Sequence, residues 1–127
     1  MNRGFTRQGL LSAMQQVIID LLPNGYPLIT STAARIGISV RTMQRRLAES
    51  GVNYSEFVAQ VRFAQACRDL KNPQIPLGKV SVRLGYRDPS SFSRAFARWA
   101  GMPPRQYRQQ EAGSSECVAE TRRRYHD

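Results

Sequence analysis

Apolar residues set the pattern along the first half of this chain. Leu10, Leu11, Met14, Val17, Ile18, Leu21 and Leu22 recur at helical intervals, which predicts an amphipathic helix stopped by Pro23-Asn-Gly25. A short helix is expected from about 29 to 36, ending at Gly37, a residue suited to a left-handed turn. Ser39 is placed to cap a further helix over about 40–50, closed by Gly51. A longer helix follows over about 54–70, with Phe57, Val61 and Ala64 on one face, and Asn72-Pro73 ends it.

The pattern then returns. Arg35-Ile-Gly-Ile38 reappears 48 residues later as Arg83-Leu-Gly-Tyr86, and Met43-Gln-Arg-Arg-Leu47 reappears as Phe92-Ser-Arg-Ala-Phe96. Both copies read apolar-x-Arg-x-apolar, and each is closed by a glycine, Gly51 or Gly101. The second copy, about 77–100, has one extra residue in its turn, where Asp88-Pro89 supplies an N-cap and a first-turn proline. A last helix is expected over about 104–109. Beyond it the chain is polar and aperiodic, so 110–127 is read as a disordered tail.

Short helix, glycine turn, second helix is the helix-turn-helix, whose second helix enters the DNA major groove. At ~100° per residue, Met43 and Leu47 fall together with Val40 beside them. Arg41 and Arg45 point away, flanked by Thr42 and Arg46, with Gln44 at the margin. In the second copy Phe92, Phe96 and Trp99 share the core face; Ser90 and Arg94 lie opposite, with Ser91 and Arg98 alongside. Arginine binds guanine edges bidentately, glutamine does the same for adenine, and Ser or Thr serve bases or phosphates. Arg45 and Arg94 occupy equivalent places and are expected to contact DNA as a pair. Arg46 and Arg98 are left between phosphate contact and solvation. Arg62 and Arg68 are left between reaching phosphates and pairing with a nearby acid such as Asp69.

Charge strengthens this reading. Nineteen Lys+Arg against nine Asp+Glu give +10, which favours a polyanionic partner, nucleic acid or a membrane surface. No stretch approaches the ~18 apolar residues a spanning helix needs; the longest candidate, 10–22, is broken by Ser12, Gln15, Gln16 and Asp20. A cytoplasmic, nucleoid-associated protein is expected. Cys67 in a helical pattern and Cys117 in a polar stretch read as a buried small residue and a free thiol, and the single His126 sits one residue from the end. With so few ligating groups, no metal site, cofactor or His-based catalysis is expected, and the chain is not read as an enzyme.

The stretches 38–51, 61–66 and 84–108, above all Phe92-Ser-Arg-Ala-Phe96 and Pro104-Arg-Gln-Tyr-Arg108, resemble the DNA-binding domain of the AraC/XylS family of bacterial transcription regulators, over about residues 8–109. The resemblance implies an all-α fold of seven helices, with two helix-turn-helix subdomains forming homeodomain-like lobes on either side of a long linker helix. It implies a domain over 7–109, insertion into successive major-groove segments, and base reading by Arg41, Gln44 and Arg45 in the first unit and by Ser90, Ser91 and Arg94 in the second. Promoter DNA and RNA polymerase are the implied partners. Most members also carry a sensing or dimerisation domain, which is not encoded in these residues. Leu28 and Pro76 stand where the family caps a helix with Ser or Thr. Thr32 replaces a customary aliphatic, Ser81 a customary alanine, and Gly78 adds flexibility within a helix.

Two other functions fit parts of the pattern. A basic helical module could bind an acidic protein without base readout, and a recombinase could use such a piece to find DNA. The second is disfavoured because no acidic constellation accompanies it.

Overall fold

The computed structural model describes residues 7–111, and among them the fold is all-α. Seven α-helices follow in order: α1 (Arg7–Leu21), α2 (Ile29–Ile36), α3 (Val40–Glu49), α4 (Tyr54–Leu70), α5 (Leu77–Arg83), α6 (Pro89–Ala100) and α7 (Pro104–Glu111), with one 3-10 turn at Leu22–Asn24. The chain divides into two compact units, and the division falls inside α4, between Arg62 and Phe63.

The first unit is built on aliphatic packing. Leu10 and Met14 from α1, Ala33 and Ile36 from α2, and Met43 and Leu47 from α3 form its core, with Ile38, Val40 and Phe57 packed against them. One polar group enters this interior. Thr32 is fully buried, its hydroxyl 2.8 Å from the Tyr54 phenol, while that phenol donates to the Pro27 carbonyl at 2.6 Å. The single phenolic proton is therefore spent on Pro27, and Thr32 is the donor to Tyr54. Burial pushes the Tyr54 phenol above its ordinary pKa, and the Thr32 hydrogen bond offsets part of that rise. A threonine in place of an aliphatic residue is thus satisfied. At its start α4 carries a reciprocal cap, Glu56 N–H to Asn53 Oδ1 at 2.8 Å and Asn53 N–H to Glu56 Oε1 at 2.9 Å.

The second unit is built on rings. Phe96 lies 5.4 Å from Phe63, 5.8 Å from Phe92 and 5.1 Å from Tyr107 between ring centroids, and Trp99, half-buried, packs edge-on against Phe63 at 5.5 Å. Cys67 is buried here too. Asp69 is almost fully buried, and its ion-pair partner is Arg83 from α5, rather than Arg62 or Arg68 of its own helix. Arg83 Nε reaches Oδ2 at 3.0 Å and Nη2 reaches Oδ1 at 3.3 Å, while Gln65 Nε2 donates to Oδ1 at 3.1 Å. The sequence left Arg62 and Arg68 between phosphate contact and pairing with such an acid; Asp69 is met instead from α5, which follows the turn after α4. In the first unit Arg62 instead stacks its guanidinium 5.5 Å above the Tyr26 ring.

Arg108 closes the second unit. It donates to the carbonyls of Leu70 (2.8 Å), Asn72 (3.1 Å) and Ile75 (2.6 Å), with a longer contact to Asp69 at 3.4 Å. One fork of donors thereby binds the last carbonyl of α4 and two carbonyls of the turn beyond it. Ser81 donates to the Gly78 carbonyl at 2.8 Å, so this buried hydroxyl is also satisfied. Leu28 and Pro76 make no side-chain cap to α2 or α5, in line with the sequence. α7 continues through Glu111, past the expected domain end at 109, because Gln109, Gln110 and Glu111 are good helix formers and nothing in that stretch stops the turn. The rest of the proposed tail, with Cys117 and His126, lies outside the described residues.

Candidate nucleic-acid interface

The repeat seen in the sequence recurs in the turn glycine and in the hydrogen bond that closes each turn. In the first unit Gly37 adopts φ 91° and the Ile38 N–H returns to the Ala33 carbonyl at 3.1 Å. In the second, Gly85 adopts φ 83° and the Tyr86 N–H returns to the Ser81 carbonyl at 3.0 Å. Left-handed backbone at these two positions is open to glycine at little cost, and it redirects the chain into the next helix. Each second helix is then capped alike. Thr42 N–H donates to Ser39 Oγ at 3.0 Å, and Ser91 N–H to Asp88 Oδ1 at 2.7 Å. With register fixed by turn and cap, Met43 matches Phe92, Leu47 matches Phe96, and Arg45 matches Arg94. The four apolar residues are fully buried or nearly so, and both arginines are exposed.

Most of the expected site residues stand on the solvent side. Arg41, Gln44 and Arg45 on α3, and Ser90, Arg94 and Arg98 on α6, are exposed. No hydrogen bond or ion pair among the described residues engages the guanidinium groups of Arg41, Arg45, Arg94 or Arg98, so their donors are available to an outside partner. Three others are half-buried. Thr42 accepts from the Ser39 hydroxyl at 2.9 Å. Arg46 pairs with Glu49 at 3.6 Å. Ser91 is drawn into the cap of α6 through its amide. The Asp88 carboxyl is held below its ordinary pKa first by the Ser91 amide, then by the Ser91 hydroxyl, with a smaller contribution from the Arg94 charge.

Two residues of this surface were not singled out by the periodic pattern. Arg87 is exposed in the turn immediately before the cap of α6, and its position beside the N-cap is the signal that finds it. Arg105 is exposed in the first turn of α7, with no local signal beyond its charge. No cluster of His, Cys, Asp or Glu that could hold a metal occurs among the described residues, and none of the described helices is long and apolar enough to cross a membrane.

A family model described as a helix-turn-helix domain matches residues 32–110, which takes in both turns and both exposed arginine faces. The chain belongs to this family, in its AraC type. The HTH-type transcriptional regulator VqsM of Pseudomonas aeruginosa is 36% identical over 93 residues, 73% of this chain and 29% of that protein. The HTH-type transcriptional regulator VirS of Mycobacterium tuberculosis is 41% identical over 88 residues, 69% of this chain and 26% of that protein. This chain therefore spans between a quarter and three tenths of the length of those relatives. Among solved structures, the DNA-binding domain of AdpA, a global transcriptional factor in complex with a target DNA, superposes with a TM-score of 0.63 at 26% identity, covering 80% of this chain and 91% of that one. The family match begins within α2 and ends within α7, and α1 lies outside it.

Proposed function

We propose that this AraC-type domain binds double-stranded promoter DNA sequence-specifically and regulates bacterial transcription, with α3 and α6 each reading a major-groove segment. The observation that carries the reading is the equivalence of Arg45 and Arg94. Each is exposed, makes no ion pair within 4 Å among the described residues, and is held in register by a buried apolar residue on either side. A solvated basic face gives no reason for such a match between two repeats. Family membership and the DNA-bound AdpA neighbour support the same function.

In this reading Arg41, Gln44 and Arg45 read bases from the first unit, and Ser90 and Arg94 from the second. Thr42, Arg46, Ser91 and Arg98 serve phosphates or steady the readers. The proposed domain is the one the resemblance implied, 7–109, with α7 continuing through Glu111. RNA polymerase is the proposed second partner, a sensing or dimerisation domain the proposed companion, and the cytoplasmic nucleoid the proposed location. The greater length of VqsM and VirS supports the companion domain.

Selection of sites from a random duplex pool, followed by gel-shift competition with excess random DNA, tests this function. A base reader keeps its selected site under competition, and a merely basic interaction module does not. Arg45→Ala and Arg94→Ala should each weaken binding to the selected site by ~1–3 kcal/mol and relax preference at one position, with helicity unchanged. Full specificity in either variant would make that arginine ordinary solvated surface.

A further inference from the structure

The two exposed helices begin differently. The cap of α3 is neutral: Ser39 accepts the Thr42 amide, and the amides of Val40 and Arg41 leave the helix end without a partner among the described residues, as first-turn amides do. At the start of α6 stands Asp88. Pro89 occupies the next position and has no N–H. The Ser91 amide goes to Asp88 Oδ1 at 2.7 Å and the Phe92 amide to the Asp88 carbonyl at 3.3 Å, while the Ser90 amide adds a small contribution to holding the carboxyl ionised. Where α3 presents a hydroxyl, the first turn of α6 thus presents its amides to an anion that belongs to the chain.

A helix N-terminus ordinarily attracts a phosphate through its unpaired amides and positive end. We propose that Asp88 is a specificity-determining residue of the second unit: its fixed carboxylate fills the anion position at the start of α6, so this helix gains little from a backbone phosphate and binds well only where Ser90 and Arg94 meet matching base edges. The inference rests on the DNA-reading function proposed above. Two further features support it. Arg94 lies close enough for its charge to act on the carboxylate, so the residue that would otherwise seek any phosphate is partly balanced. A phosphate brought to this helix end would also sit well inside the ~8 Å screening length of the carboxylate and be repelled. The first unit has no such guard, and its neutral cap sits beside Arg41.

Asp88→Asn is the decisive variant, because asparagine caps a helix as well as aspartate does while removing the charge. Asp88→Ser supplies the cap chemistry of the first unit. Dissociation constants for the selected site and for random duplex DNA would be measured over a range of salt, with circular dichroism as the check on folding. In both variants the affinity for random duplex should rise roughly two- to fivefold. The salt slope should steepen by up to about 0.9, the increment of one phosphate contact. The selected site should tighten by less, so the ratio of specific to random binding falls. An unchanged ratio with intact helicity overturns the proposal, as does a fall in the ratio seen only where helix content is lost. Failure of the wild-type chain to prefer any selected site would sink the DNA-reading function and this inference together.

Discussion

The two units reach one presentation by different means. In the first, aliphatic side chains from three helices pack around the buried Thr32 hydroxyl, and the cap of α3 is neutral. In the second, a cluster of rings does the same work beside a buried ion pair, with Arg108 tying α7 to the end of α4. The turn glycine, the cap and the exposed arginine recur in both units, whereas the filling does not. A core needs only apolar volume of the right shape, but an outward side chain must keep its register with the turn that aims it. Position is therefore held more tightly than packing chemistry.

The strongest test of that contrast removes one core residue from each side. Phe96→Ala should cost ~3–5 kcal/mol and Met43→Ala ~2–5 kcal/mol, by lost burial and the cavity left behind. Hydrogen exchange should show each loss confined to its own unit, α5 to α7 in the first case and α1 to α3 in the second. Equal loss of protection in both units from Phe96→Ala would show that they share one cooperative core and that the contrast is only one of composition.

A smaller effect is expected from the ion pair to a buried carboxylate, which among the described residues only the second unit shows. Arg83→Met leaves the Asp69 carboxylate buried with Gln65 alone. Breaking a fully buried pair costs ~3–5 kcal/mol, but Arg83 is 48% exposed while Asp69 is 4% exposed. Solvent screening of the arginine lowers the expected cost to about 1–3 kcal/mol. Denaturant unfolding of this variant should shift the midpoint with little change in slope. No shift at all would mean that the rings carry the second unit without the pair.

The smallest effect is one of pH. The folded-state pKa of Asp88 lies below its unfolded value, so its contribution is present above the ordinary carboxylate range and is lost as pH falls through the depressed folded value. Protection of the α6 amides should decline over that acidic window, whereas the α3 cap, Ser39, has nothing to titrate. Asp88→Asn should flatten the α6 profile. A wild-type profile already identical to that of the variant would remove Asp88 from the stability of the cap.

The helices and both exposed faces were legible in the sequence because they depend on local signals. Helical spacing of Met43 with Leu47 and of Phe92 with Phe96, glycines at the turns, and Ser39 or Asp88 at a cap are each decided within a few residues of the chain. What joins distant residues was not legible. Nothing near Arg83 says that a carboxylate fourteen residues earlier is buried within its reach. Nothing near Arg108 says that its fork meets carbonyls more than thirty residues back. Thr32 and Ser81, which looked like weak points, proved satisfied by Tyr54 and by the Gly78 carbonyl. A hydroxyl's partner is fixed by packing, and spacing alone does not reveal it. The half-burial of Arg46 and Ser91 was not legible either: Arg46 pairs with Glu49, and Ser91 lies in the first turn of α6, where Asp88 takes its amide.

The Arg108 clamp also sets an order of events during synthesis. The first unit draws its core from residues that have all left the ribosome once Phe57 has emerged, and N-terminal parts of a chain generally fold first. The second unit must wait for Tyr107 to cover Phe96 and for Arg108 to bind the end of α4. Until those two neighbouring residues are made, Phe63, Phe92 and Phe96 lack part of their cover, so a ribosome that stalls just before them holds a nascent chain with one finished unit and one adhesive one.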